Sequence, residues 1–266
     1  MKMTETQIRE FHENGYFIAR GLFDAEEMKY LLEVGRADST FADAGGGEDA
    51  AGRLSRISLE NYAVDDIYSL LVCSRRIVDN MEILLGDEVY HFHHKMMLKE
   101  PRVGGAWEWH QDYGYWYMHQ KCLWPDMASC AIAVDRASKE NGCMQVLKGS
   151  HLCGRIEHGQ TGGQTGADME RVNALLERQE PVYAEMDPGD GLFFHANTLH
   201  RSDENLSEYP RWTLIGCYNT KYNSPLNEQG GHPQYHFLEK IDDEDIKPRA
   251  KQYWEQTEVA KPEAAS

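Results

Sequence analysis

No apolar run in the sequence reaches the length of a membrane span, and the opening MKMTETQIREFHENGYFIARGLF holds no apolar core of the kind a secretory leader needs. Neither a helical span nor a signal peptide is therefore expected. Positive charge is scarce: 27 Lys and Arg stand against 44 Asp and Glu, a formal net charge of −17. Such a surface repels nucleic-acid phosphates and anionic lipid, so neither nucleic acid nor membrane is expected as a partner. Much of the acid lies in solvated runs such as KIDDEDIKPRA at 240–250. Cysteine is sparse and unpatterned. Cys73, Cys122, Cys130, Cys143, Cys153 and Cys217 contain no C-x-x-C pair and read as reduced thiols of a cytoplasmic protein. A Cys143–Cys153 bridge is conceivable and not expected. The 9 prolines and 23 glycines form no linker, and no internal repeat is present. With 41% hydrophobic residues, the 266-residue chain suits one domain with a sizeable core.

Thr4 followed by Gln7 is a capping-box signature, and Ile8 and Phe11 recur at helical spacing until ENGY stops the helix. YFIARGLF predicts a short strand and turn. Asp24 caps a second helix with Met28, Leu31, Leu32 and Val34 on its apolar stripe. FADAGGGEDAAG at 41–52 has the composition of a mobile loop, and 41–60 is a candidate lid. A third helix is predicted over 65–84, with Ile67, Leu70, Leu71, Ile77 and Met81 inward. After Gly86 come short runs rich in β-branched, aromatic and small residues: EVYHFHHKMMLKEP, DMASCAIAVD, GCMQVLKGSH, PVYAEMDPGDGLFFH and RWTLIGCYNT. Turn signals such as ENG, KGS and PGDG separate them. MERVNALLERQE reads as an inserted helix. Helices followed by many short strands predict an α+β chain, mainly β, whose functional half is a sandwich or barrel. The expected division is a helical part at 1–86, a β core at 87–222 and a C-terminal extension at 223–266.

AWEWHQDYGYWY at 106–117 sets His110 and Asp112 two residues apart in an aromatic segment. On a strand, residues i and i+2 share a face, so both can reach one ion while Gln111 points away. A third ligand must come from elsewhere. GDGLFFHANTLHRSDENLSEYPRW at 189–212 offers His200 at a strand end and Arg211 at the head of the antiparallel neighbour. Two histidines and a carboxylate on one side of an ion form a facial triad with open positions, typical of non-haem Fe(II). A dicarboxylate in an apolar pocket needs a planar, permanently charged partner such as Arg211. His195 is a rival third ligand, expected instead in a buried hydrogen-bonded role. Asn141, Gly142 and His151 read as structural.

Together these segments resemble the phytanoyl-CoA dioxygenase family of Fe(II)/2-oxoglutarate oxygenases. The resemblance runs over nearly the full length, through GYFIARGLFDAEEM, WHQD, ENGCMQVLKGSH and GDGLFFHANTLHRS…PR. It implies a double-stranded β-helix (jelly-roll, cupin-like) core flanked by N-terminal helices. It also implies Fe(II), 2-oxoglutarate as cosubstrate and O2, with His110, Asp112 and His200 as the catalytic iron ligands. Arg211 matches the arginine on the distal carboxylate of 2-oxoglutarate, Ser202 a hydroxyl two residues after the last ligand, and Trp107 an aromatic beside the cosubstrate. The implied reaction hydroxylates an unactivated C–H of a small, polar organic molecule and releases succinate and CO2. Halogenating relatives carry a small residue where Asp112 stands, so hydroxylation is implied. The chain is similar to ectoine-hydroxylase-like members at ASCAIAVDRA and at Trp116, a substrate-contact position. It departs from them in the continuation WHQDYGYWYMHQ and at Met97, where they carry an asparagine contact to the cosubstrate. That argues against ectoine itself.

Alternation along YHFHHKMMLKEP predicts His91, His93, Lys95, Met97 and Lys99 on one face, with His93 and Lys95 reaching cosubstrate or substrate. A second metal site among these histidines is the lesser reading. Tyr113, Tyr115 and Tyr117 are expected as a dry wall around the ion or as barrel core. Tyr113 and Trp116 are substrate-contact candidates that suit a small polar molecule, including a quaternary ammonium. Arg53 and Arg56 are expected to reach an anionic group from the lid. No basic patch suits the phosphates of coenzyme A. Two alternatives remain: a zinc hydrolase, which has no need of Arg211, and a non-catalytic binding protein, which would usually have lost a ligand. Oligomeric state is not legible.

Overall fold

The computed structural model describes residues 2–161, 163–229 and 231–257. Local chemistry sets the first helices. The Thr4 hydroxyl accepts from Gln7 N–H and the Gln7 side chain accepts from Thr4 N–H, opening α1 (Glu5–Asn14), which Gly15 closes at φ +83°. Strand β1 (Tyr16–Ala19) follows, and Asp24 opens α2 (Ala25–Ala37) by accepting from the N–H groups of Glu26 and Glu27. Strand β2 is Arg56–Glu60. The helix expected over 65–84 is two helices, α3 (Ile67–Val72) and α4 (Arg75–Leu85). Ser74 breaks it by donating its hydroxyl back to Leu71 O, and the backbone on either side is claimed by Ile241.

The remaining elements are β3 (Val89–Lys99), β4 (Trp107–His110), α5 (Asp112–His119), β5 (Met127–Ala133), β6 (Met144–Val146), β7 (His158–Thr161), β8 (Gln164–Ala167), α6 (Met169–Leu176), β9 (Val182–Tyr183), β10 (Gly191–His195), β11 (His200–Ser202), β12 (Arg211–Thr220) and α7 (Asp243–Glu255). Helix α6 is the expected insertion. A six-stranded antiparallel sheet runs β1-β10-β5-β12-β3-β2, a four-stranded one β4-β11-β6-β9, and β7-β8 is a separate hairpin. From β3 to β6 and again from β9 to β12, consecutive strands thus cross between the two sheets, the arrangement of a double-stranded β-helix. Phe193 of β10 joins the helix-side core with Phe11, Leu31, Leu71 and Met81, while its neighbours Leu192 and Phe194 join Tyr90, Phe92 and Val146 between the sheets. Strand alternation divides one strand between two cores.

Two expectations are corrected here. The glycine-rich stretch at 41–52 is not a loose loop. Residues 39–43 form a 3-10 turn with Phe41 buried, and the chain then doubles back so that Ser55 N–H donates to Gly47 O and Ile57 N–H to Gly45 O. A Cβ on Gly46 would lie 1.4 Å from Ser55 O, so the glycine permits the close approach. Strand β3 also fails to alternate throughout. Its register with β12 shifts at Phe92, a bulge that turns His91 away from His93. His91 Nε2 instead meets His94 Nδ1 at 3.0 Å. At the other end α7 packs on α2 and α3, with Lys247 pairing Asp24 at 2.6 Å. Of the expected extension at 223–266, residues 258–266 lie outside the described residues.

Candidate active site

Strands β4 and β11 pair with His110 opposite His200, so imidazoles far apart in sequence meet with ring centroids 4.1 Å apart. Asp112 is not on the strand. The β4 ladder stops because His158 Nε2 accepts the Gln111 N–H at 2.9 Å, and Asp112 opens helix α5. The expected i, i+2 strand geometry is therefore corrected: the change from strand to helix backbone at Asp112 keeps the carboxylate beside the histidines and sets it at the positive end of the helix dipole. Gln111 does point away, donating to Gly154 O and Asn197 O.

Asp112 Oδ1 lies 3.9 Å from His110 Nε2 and 4.0 Å from His200 Nε2, and one ligand atom of each lies within 4.8 Å of the others. His110 Nδ1 donates to Glu108 O (2.7 Å) and His200 Nδ1 to Thr198 O (2.9 Å), which leaves both Nε2 lone pairs for an ion. Ser129 Oγ donates to Asp112 Oδ2 at 3.4 Å, and Lys95 Nζ lies 3.4 Å from Oδ1. Burial, then His200, pushes His110 down to about 3, and burial lowers His200 as well. Burial opposes the Asp112 charge, yet Lys95 and the histidines hold its carboxyl well below the usual carboxylate range. At neutral pH the set is two neutral imidazoles and a carboxylate, the state a divalent ion requires. This donor set fits Fe(II).

A cavity of about 400 Å³ opens beside His110 and Asp112. His93, Lys95, Trp107 and Trp116 line it, and Trp116 stands edge-on to His93. Tyr113 does not line it: its hydroxyl donates to Leu123 O at 2.7 Å and ties α5 to the following loop. Tyr115 reaches the cavity edge, whereas Tyr117 packs against the Arg155 guanidinium at 4.3 Å. Arg53 and Arg56 are also corrected. Their charges are taken up locally, Arg53 by Glu204 (3.2 Å) and Arg56 by the carbonyls of Phe41 and Ala42 and by Glu100. His195 accepts from Asn197 N–H and is not part of the triad. Four participants carried no sequence signal that was used: Ser129, His158, Gln164 and His232. The last three line the cavity. Gln164 also accepts from Glu108 N–H and so steadies β4.

Arg211 opens β12 opposite Lys99 of β3. Its guanidinium donates to Thr213 Oγ1 (3.1 Å) and Gly142 O (2.8 Å), and its Nε has no partner. Burial pushes it down to about 10, with only the Cys143 thiol and Asp135 opposing. A buried cation held by neutral acceptors lacks the counter-ion that a dicarboxylate supplies. Ser202 is likewise buried, on β11 opposite Met144. Neither Arg211 nor Ser202 borders the cavity.

The phytanoyl-CoA dioxygenase family profile matches residues 11–213. L-proline trans-4-hydroxylase of Streptomyces griseoviridis is 31% identical over 178 residues, 61% of this chain and 66% of that one. Ectoine dioxygenase of Sphingopyxis alaskensis is 25% identical over 233 residues, 82% of this chain and 76% of that one. The solved structure of EctD from S. alaskensis with 2-oxoglutarate and 5-hydroxyectoine aligns at a TM-score of 0.75 and 23% identity. It covers 90% of this chain and 88% of that one, which establishes the double-stranded β-helix fold. The chain belongs to the phytanoyl-CoA dioxygenase family of Fe(II)- and 2-oxoglutarate-dependent dioxygenases.

Proposed function

We propose that the protein is a cytoplasmic, single-domain hydroxylase. Substrate C–H, 2-oxoglutarate and O2 become alcohol, succinate and CO2, and the substrate is a small, polar organic molecule. The observation that carries this reading is the meeting of His110, Asp112 and His200 beside a cavity, with the carboxylate intact. Fe(II) held by these three would activate O2, the oxidant, with 2-oxoglutarate as the two-electron reductant. The chain holds the ligands and shields the site. Glu108 O and Thr198 O orient the imidazoles, and Ser129 orients the carboxylate. Arg211 with Ser202 binds the distal carboxylate of the cosubstrate and Trp107 flanks it. Trp116 shapes the substrate wall, and the indoles keep bulk water off the reacting centre. The proline hydroxylase and ectoine dioxygenases among the relatives support small-molecule hydroxylation.

Anaerobic titration of the metal-free protein with Fe(II) and then 2-oxoglutarate tests this reading. A weak visible charge-transfer band that needs both components is expected. Arg211→Ala is expected to weaken 2-oxoglutarate binding by about tenfold to a hundredfold, the weight of a charge-assisted pair. Tight zinc binding with no such band would favour the hydrolase or binding-protein alternative.

A further inference from the structure

Lys95 projects from β3 into the cavity, and it is the one lysine among the lining residues, which include no arginine. Its ammonium is largely buried and, among the described residues, its one side-chain ion partner is Asp112 Oδ1, the carboxylate oxygen that also faces both imidazoles. An ion bound by the triad shares that carboxylate, so Lys95 is left beside a dication with a weakened partner. Asp112 is the one acid among the lining residues, so no second carboxylate of the lining replaces the partner that the ion takes from Lys95, and a buried cation calls for a counter-ion.

We infer that the substrate carries a carboxylate anchored by Lys95, joined to a saturated hydrocarbon part that lies against Ile57, Leu59 and Trp116. This rests on the hydroxylase reading above. The apolar walls suit a hydrocarbon body, and the cavity volume is at the lower end for small-ligand sites. A cationic substrate such as a quaternary ammonium is disfavoured. The lining would offer it the aromatic side chains of Trp107, Tyr115 and Trp116 and the one acid that the ion already takes, with Lys95 repelling it.

The test uses the anaerobic enzyme loaded with Fe(II) and 2-oxoglutarate and reads binding by calorimetry and by perturbation of the charge-transfer band, without turnover. The probes are hexanoate and cyclopentanecarboxylate, their neutral amides, and cyclopentylamine. The acids are expected to bind at least about tenfold more tightly than amides or amine, the scale of one charge-assisted hydrogen bond. At saturating Fe(II) and 2-oxoglutarate, Lys95→Met should abolish that preference and Lys95→Arg should retain it. The band formed by Lys95→Met itself reports that the variant is folded and loaded. Equal binding of acids and amides, no detectable acid binding, or a preference that survives in Lys95→Met would overturn the inference. So would a loss confined to 2-oxoglutarate, which would make Lys95 a cosubstrate contact. Failure of the wild type to form the band would strike the hydroxylase reading itself, and this inference with it.

Discussion

Ser129 reaches the candidate iron site without bordering the cavity: its hydroxyl donates to Asp112 Oδ2 and also lies 3.3 Å from Cys217 Sγ. It is a positioning residue, since it fixes which oxygen Asp112 presents. Ser129→Ala is expected to lower Fe(II) affinity by about tenfold to a hundredfold, measured by competition with a chelator, with little change in Tm. Unchanged affinity would mean that Lys95 and the helix end suffice to orient the carboxylate. The cluster of His110, Asp112 and His200 was legible because an ion of this kind needs particular residue types, two of them close in the chain. Ser129 was not, although a single hydroxyl inside the otherwise apolar run ASCAIAV could have flagged it. His232 had no signal at all, because a loop from the C-terminal part brings it to the cavity and no periodicity records that approach.

Helix α5 depends on an absent side chain. A Cβ on Gly114 would lie 2.0 Å from the His158 ring, and that ring accepts the Gln111 N–H that ends β4. Gly114→Ala is therefore expected to push α5 and His158 apart. A fall of several degrees in Tm should accompany weaker Fe(II) binding, read by thermal melts and chelator competition, because Asp112 moves with its helix. The aromatic run had concealed this helix. DYGYWYMH is glycine-interrupted and weakly amphipathic, and its tyrosines and tryptophan favour strands, so local preference pointed the wrong way. Ser74 was a readable signal, since serine before Arg75 is a helix-start residue as well as an interruption. The bulge at Phe92 was not readable, because it exists only in the pairing of β3 with β12.

The whole molecule responds to acid through its buried histidines. Burial, with His151 and His12 adding to it, pushes His195 down to about 4. Its unfolded value lies near 6.5. The unfolded chain thus binds more protons between those values, so stability present above pH 6.5 is lost as pH falls toward about 4. The Tm of the metal-free protein is expected to fall over that window, and His195→Gln to flatten the slope. Equal slopes in a calorimetric series would assign the acid response to His93, His110 and their neighbours. At this scale the class of fold was legible from turn-punctuated strands, but strand order was not. Tyr16 of β1 pairs with Phe194 of β10, and His110 with His200. Such long-range pairing has a consequence for synthesis. A ribosome must release the long intervening chain before either pair can close, and slow, non-local folding follows. Iron that meets the nascent chain earlier finds His110 and Asp112 without His200, so loading of the metal centre belongs after translation, when the finished barrel has assembled.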